Sequence, residues 1–159
     1  MQVRVLQGVA PFTEEAERSI SQWRFNPAQS DSRAVPSEVT VVIMFRPHSP
    51  GNIGTGGPAL GFTPALPQGD HSALPIYIFD PEAPCSSYLN PPGVVILDLE
   101  LNESGSIRQM RLVHDVLTFT ERVRLAVKQW DFAAAVQNGK AVRSTVIAAV
   151  SFVAVAQCQ

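Results

Sequence analysis

The chain has 159 residues, 45% of them hydrophobic, with 12 basic against 14 acidic side chains and a net charge of −2, enough for one ordinary domain or two small ones. This near-neutral balance lacks the basic stripe that nucleic acid or an anionic membrane surface would select. No apolar run reaches the roughly 20 residues of a membrane helix, and the N-terminal MQVRVLQGVAPF lacks the charged-then-apolar layout of a signal peptide, so the fragment is expected not to insert into a membrane.

In chain order, Val3 and Val5 alternate with Arg4, the pattern of a half-buried strand. Thr13 is then placed as a helix N-cap, with Glu14 and Glu15 favouring the positive end of the dipole. Ala16, Ile20 and Trp23 follow at i, i+4, i+7, an apolar helix face that ends in tryptophan, with Phe25 folding back onto the same core. A polar turn leads into a long strand, Glu38 to Phe45, with Val39, Val41, Ile43 and Phe45 on one face.

Between Pro47 and Gly93 fall ten of the 13 Pro and seven of the 10 Gly, and the only charges are Asp70, Asp80 and Glu82. Such a stretch reads as a linker, because proline excludes helix and supplies no N–H to a central strand. Leu74 to Phe79 (LPIYIF) is the exception, an expected edge strand bracketed by prolines. Val94 to Leu101 (VVILDLEL) alternates as a strand, and NESG (Asn102 to Gly105) turns it into a second, with Met110 and Leu112 opposite Arg111. Thr120 is placed as the next N-cap, and Val123, Val127 and Trp130 form the apolar helix face, with Phe132 beyond it. Asn138-Gly139 marks a turn before the last strand, Thr145 to Val153.

Displacing the chain against itself by 107 positions aligns Gln2–Phe45 with Gln109–Phe152 without a gap, with 15 identities in 44 pairs, so the sequence reads as a duplication. The second copy is ββαβ, whereas the first starts at its second strand, which reads as a truncation. In an antiparallel ββαβ sheet the first strand lies between the other two. The first copy therefore lacks its central strand, and either Leu74–Phe79 or a strand of another molecule is expected to fill the slot.

Gln22 to Phe45 (QWRFNPAQSDSRAVPSEVTVVIMF) resembles the C-terminal domain of TonB energy transducers, with its Q-W-R-F-x-P-A run, x-V-P turn and long strand. Gln129 to Phe152 (QWDFAAAVQNGKAVRSTVIAAVSF) matches more loosely: Asp131, Ala134 and Arg143 replace the Arg and the two Pro. Its lead-in, DPEAPCSSYLNPPGVVILDLELNESGSIRQMRLV, resembles the family's D-P-x-Y-P, pre-strand Gly and D-x-x-G hairpin. The expected fold class is thus α+β, two TonB C-terminal-like modules, each a small antiparallel sheet packed by one helix. Residues 1–47 form a partial βαβ module, 48–75 a Pro/Gly-rich linker and 76–159 a complete ββαβ module.

The resemblance implies a non-enzymatic periplasmic protein, tethered to the inner membrane upstream of this fragment. Its implied partner is an extended TonB-box-like segment of an outer-membrane transporter, bound by strand addition in energy-coupled uptake. The expected binding edge is the last strand, Thr145, Val146, Ile147, Ala148, Ala149, Val150 and Ser151, which has no Lys or Pro to blunt it. The alternative is a structural or self-association module of the cell envelope using the same edges, including a homodimer by strand exchange. A third reading, a small hydrolase built on Cys85, finds no nucleophile motif around that residue.

Trp23, Phe25, Trp130 and Phe132 are assigned to core packing rather than ligand stacking. No cofactor is expected, and His48, His71 and His114 have no second ligand at metal-binding spacing. Cys85 and Cys158 leave the second module's first and last strands at the same end and can meet in a disulfide under periplasmic conditions, the alternative being two free thiols. Intact mass with an alkylating reagent, before and after reduction, should then show label taken up only after reduction; two thiols alkylated without reductant would refute the pairing.

Overall fold

The computed structural model of the chain describes residues 2–6, 8, 10–45, 66–81, 93–117 and 119–152. They divide into two compact units, Met1–Glu38 and Val39–Gln159. The first holds helix α1 (Phe12–Ser21) and a hairpin of strands β1 (Ala28–Ser30) and β2 (Arg33–Val35). The second holds β3 (Thr40–Met44), β4 (Leu74–Tyr77), β5 (Gly93–Leu101), β6 (Ile107–His114), helix α2 (Thr120–Val127), β7 (Asp131–Ala133), β8 (Ala135–Gln137), β9 (Lys140–Val142) and β10 (Ser144–Phe152). The architecture is α+β, and none of the described helices is long and apolar enough to cross a membrane.

The hydrophobic core lies in the second unit. Its main sheet has the order β3-β10-β5-β6, with β5 antiparallel to both β10 and β6, as the ββαβ pattern requires. Val95, Leu97, Leu99 and Leu101 of β5 and Val146, Ala148, Val150 and Phe152 of β10 point to one face, where all eight are at most 3% exposed. Val123 and Val127 of α2 pack onto that face, and Phe119 stacks on Phe152 with ring centroids 4.0 Å apart. The period-2 strands and the i, i+4 helix face thus meet where their alternation directs them.

The first unit has the same local pieces without a core. The β1–β2 hairpin pairs Ala28 with Val35 and turns through positive φ at Asp31 and Ser32. The β8–β9 hairpin pairs Ala135 with Val142 and turns through positive φ at Asn138 and Gly139, the same register 107 positions later. Trp23 and Phe25 sit 6.1 Å apart, and Trp130 and Phe132 sit 6.3 Å apart, at similar tilts. Burial separates the two: Trp130 and Phe132 are 4% and 5% exposed, whereas Trp23 is half-buried and Phe25 is 40% exposed. Among its described residues the first unit has none buried, so the core role assigned to Trp23 and Phe25 is not realised.

Four further expectations change. Residues 2–6 carry no strand, and Val3 and Val5 are exposed. Leu74–Tyr77 does not fill the first copy's missing slot; it pairs with β7, Leu74 opposite Ala133. The reason is visible at Trp130, whose indole N–H donates to the Phe79 carbonyl at 2.7 Å, so the buried indole finds its acceptor just beyond β4. The last strand of the first copy belongs to the second unit, so the compact boundary falls at Glu38 rather than at residue 47. The helices also start differently: Pro11 and Phe119 precede them and neither Thr caps. The Thr120 hydroxyl instead accepts from Val116 N–H at 3.1 Å and donates to the Asp115 carboxylate.

Leu97→Ala should destabilise the second unit by about 2–5 kcal/mol in urea denaturation, because it opens a cavity in a fully buried layer. Ile20→Ala on the half-buried α1 face should cost well under about 1 kcal/mol; comparable losses at the two positions would contradict a core confined to the second unit.

Candidate functional site: the β10 edge

The strand expected to be an open edge is an interior one. Along one side β10 pairs antiparallel with β5, from Ser144 opposite Leu101 to Phe152 opposite Gly93. Along the other it pairs parallel with β3: Val146 with Thr40, Ile147 with Val41, Ala148 with Val42, Ala149 with Ile43 and Val150 with Met44. Of the residues assigned to partner binding, Val146, Ile147, Ala148, Ala149 and Val150 are therefore already paired. Thr145 lies just ahead of this pairing, and the Ser151 hydroxyl closes its far end by donating to the Met44 carbonyl at 2.8 Å. An unblunted row of backbone donors and acceptors has been met by the chain's own Thr40–Met44 segment.

The face that β3 turns inward is also not the one its repeat suggests. Val39, Val41, Ile43 and Phe45 correspond to the core-facing Val146, Ala148, Val150 and Phe152 at the 107-residue spacing. Yet Thr40 and Val42 are the buried residues, 4% and 6% exposed, and Met44 packs beside them, while Val41 and Ile43 are half-buried on the opposite face. A one-residue change of register exchanges the faces of a strand, and this strand tolerates it because both its faces are apolar. The one inward polar group is satisfied: the Thr40 hydroxyl donates to the buried Ala73 carbonyl at 2.8 Å.

Several contacts hold β10 in place. The β5–β6 loop is organised by Asn102, whose Oδ1 accepts from Ser104 N–H at 2.9 Å and Ser106 N–H at 3.0 Å. Gly105, at φ +84°, brings that loop against the backbone of residues 132–134, where a Cβ would come within 2.1 Å of the Phe132 carbonyl oxygen. Glu103 then accepts from Arg143 Nε at 2.9 Å, beside the start of β10. Its own backbone N–H and Arg143 hold its carboxyl below the usual value. The β8–β9 turn is clamped by Asp70, whose two oxygens accept from Asn138 N–H at 2.9 Å and Gly139 N–H at 3.1 Å. Those two donors, with a smaller contribution from His71, hold the Asp70 carboxyl below its usual range.

Two edges of the main sheet are unpaired among the described residues, the outer side of β3 and that of β6. β6 carries Arg108, Arg111 and His114; Arg111 is paired with Asp98 of β5. The segment Thr40–Met44 carries no charge. A shallow notch of about 190 Å³ lies at the end of the sheet between Glu100, Arg108, Arg143 and Thr145. It is smaller than the roughly 300–1,000 Å³ of pockets that enclose small ligands. No metal-holding cluster is present among the described residues. His71 Nδ1 lies 2.8 Å from the Ser72 carbonyl and His114 Nδ1 lies 2.6 Å from that of Val94, while His48, Cys85 and Cys158 lie outside the described residues. The arrangement offers backbone pairing and apolar fit.

Residues 88–154 match the family model described as the C-terminal of the Gram-negative bacterial TonB protein. That span includes β5, β6, α2 and β10, the elements of the ββαβ core. No curated protein matches the chain.

The lowered Asp70 carboxyl has a defined pH consequence. A depressed folded value means that the clamp is fully present above the unfolded carboxylate value and is lost as pH falls through the folded one. Asp70→Asn should speed amide exchange at Asn138 and Gly139 at neutral pH and remove the wild type's loss of protection on acidification. Equal protection of those two amides in both proteins at neutral pH would contradict the clamp.

Proposed function

We propose, on the premise that residues 88–154 of this chain belong to the TonB C-terminal family, that the protein is a periplasmic interaction module that takes an extended segment of an outer-membrane transporter into its sheet as an added strand. The family is one of non-enzymatic protein-interaction domains of the Gram-negative periplasm, which is the frame for this reading. The observation that carries it is β3: a five-residue extended segment from outside the ββαβ unit already adds to β10, in parallel, through main-chain pairing and alternate side chains. Strand addition draws affinity from main-chain hydrogen bonds and specificity from alternate side-chain positions, and both are in place here. A role in energy-coupled uptake further requires an inner-membrane tether.

The second reading, self-association in the cell envelope, is favoured by the outer sides of β3 and β6, which are unpaired among the described residues. Light scattering combined with titration by synthetic TonB-box-like peptides separates the two. The transporter reading expects a monomer whose β3 or β10 amides shift on peptide addition. A stable dimer indifferent to the peptides would instead favour self-association.

A further inference from the structure

We propose that the outer side of β3 is the slot of the first copy's missing central strand, and that a second copy of the chain fills it by pairing its own β3 there, antiparallel, about a two-fold axis. The proposal rests on the self-association reading and adds the edge, the orientation and the register.

The internal repeat locates the slot. At the 107-residue spacing β3 corresponds to β10, and the two run parallel in one sheet. Their equivalent residues face opposite ways: Ala148 and Val150 point into the core and are fully buried, whereas their counterparts Val41 and Ile43 are half-buried on the other face. Two strands of the same direction with exchanged faces differ by half a turn about the strand axis. That half turn carries the side on which β10 meets β5 onto the outer side of β3. The strand due there runs antiparallel to β3, as β5 does to β10, and brings alternate aliphatic side chains beside Val41 and Ile43.

A second β3 meets that description. Turned about a two-fold axis through Val42 and normal to the sheet, Thr40–Met44 sets Thr40 opposite Met44 and Val41 opposite Ile43 of the second copy, with Val42 opposite itself. Val41 and Ile43 of both copies then share one face in an unbroken apolar row, and no charges are opposed because the segment carries none. The exchange is reciprocal, since each copy lacks the same strand and supplies it to the other. β6 is unsuited to such pairing: its edge carries Arg108, Arg111 and His114, the kind of guard that discourages edge-to-edge contact, whereas Thr40–Met44 has no Lys, Arg or Pro.

The test uses the full chain with Cys85 and Cys158 replaced by Ser, followed by sedimentation equilibrium and amide exchange over a range of concentrations. A dimer is expected, with β3 protection that rises with concentration while β5 protection stays constant. Ile43→Lys should weaken the dimer by about tenfold or more, because two symmetry-related charges then enter an apolar pairing. Arg108→Ala, on β6, should leave it unchanged. Chains with Val41→Cys mixed with chains with Ile43→Cys should join in a disulfide on oxidation; neither should do so alone, because like positions then stand a diagonal apart.

A dimer indifferent to Ile43→Lys, or one in which the mixed cysteine chains fail to cross-link, would overturn the β3 pairing while leaving self-association at another edge standing. A chain that stays monomeric with β5 protected would overturn both, and protection of β3 by an added TonB-box-like peptide would then make a transporter segment the occupant. If Ile43→Lys proves unfolded, the mixed cross-link decides the question alone.

Discussion

A strand inside a sheet needs partners for two rows of backbone donors and acceptors, and β10 is the strand on which that requirement bears most heavily. β5 meets one row along nine residues, and Thr40–Met44 meets part of the other. Its inward side chains, Val146, Ala148, Val150 and Phe152, are the floor on which α2 rests, and Phe119 closes the end by stacking on Phe152. The helix, the core and the recruitment of β3 therefore all depend on how this strand's two sides are satisfied.

The two copies of the sequence motif show what local structure can and cannot do. Both form a helix, a tryptophan–phenylalanine ring pair and a two-residue hairpin with closely similar geometry. Only the second has β5, whose Val95, Leu97, Leu99 and Leu101 are exposed by no more than 1%. Among the described residues the first copy has no central strand of its own for its helix to cover, and its Ala16, Ile20 and Trp23 stay half-buried. Propensity and turn chemistry make the pieces, but burial against a sheet makes a core.

The segment classed as linker has structural roles that composition hides. Leu74–Tyr77 pairs with β7, Ala73 supplies the acceptor for Thr40, Asp70 clamps the β8–β9 turn, and the Phe79 carbonyl takes the Trp130 indole proton. Three of these contacts use main-chain groups of the segment, which are the same whatever its side chains. The ββαβ core thus shares its sheet with a neighbouring strand, β3.

The sequence by itself determined the α+β class, the resemblance to the TonB C-terminal family, the core faces of β5, α2 and β10, and the hairpin at Asn138-Gly139. Each of these is written in side-chain periodicity or in a residue suited to positive φ. Only the tertiary structure decided that β3 covers β10, that Thr40 and Val42 rather than Val41 and Ile43 turn inward, and that Leu74–Tyr77 serves the second module. Alternation shows which residues share a face of a strand. In TVVIM both faces are apolar, and main-chain hydrogen bonds carry no sequence label, so the choice of face and of neighbour is made by the core that the strand meets.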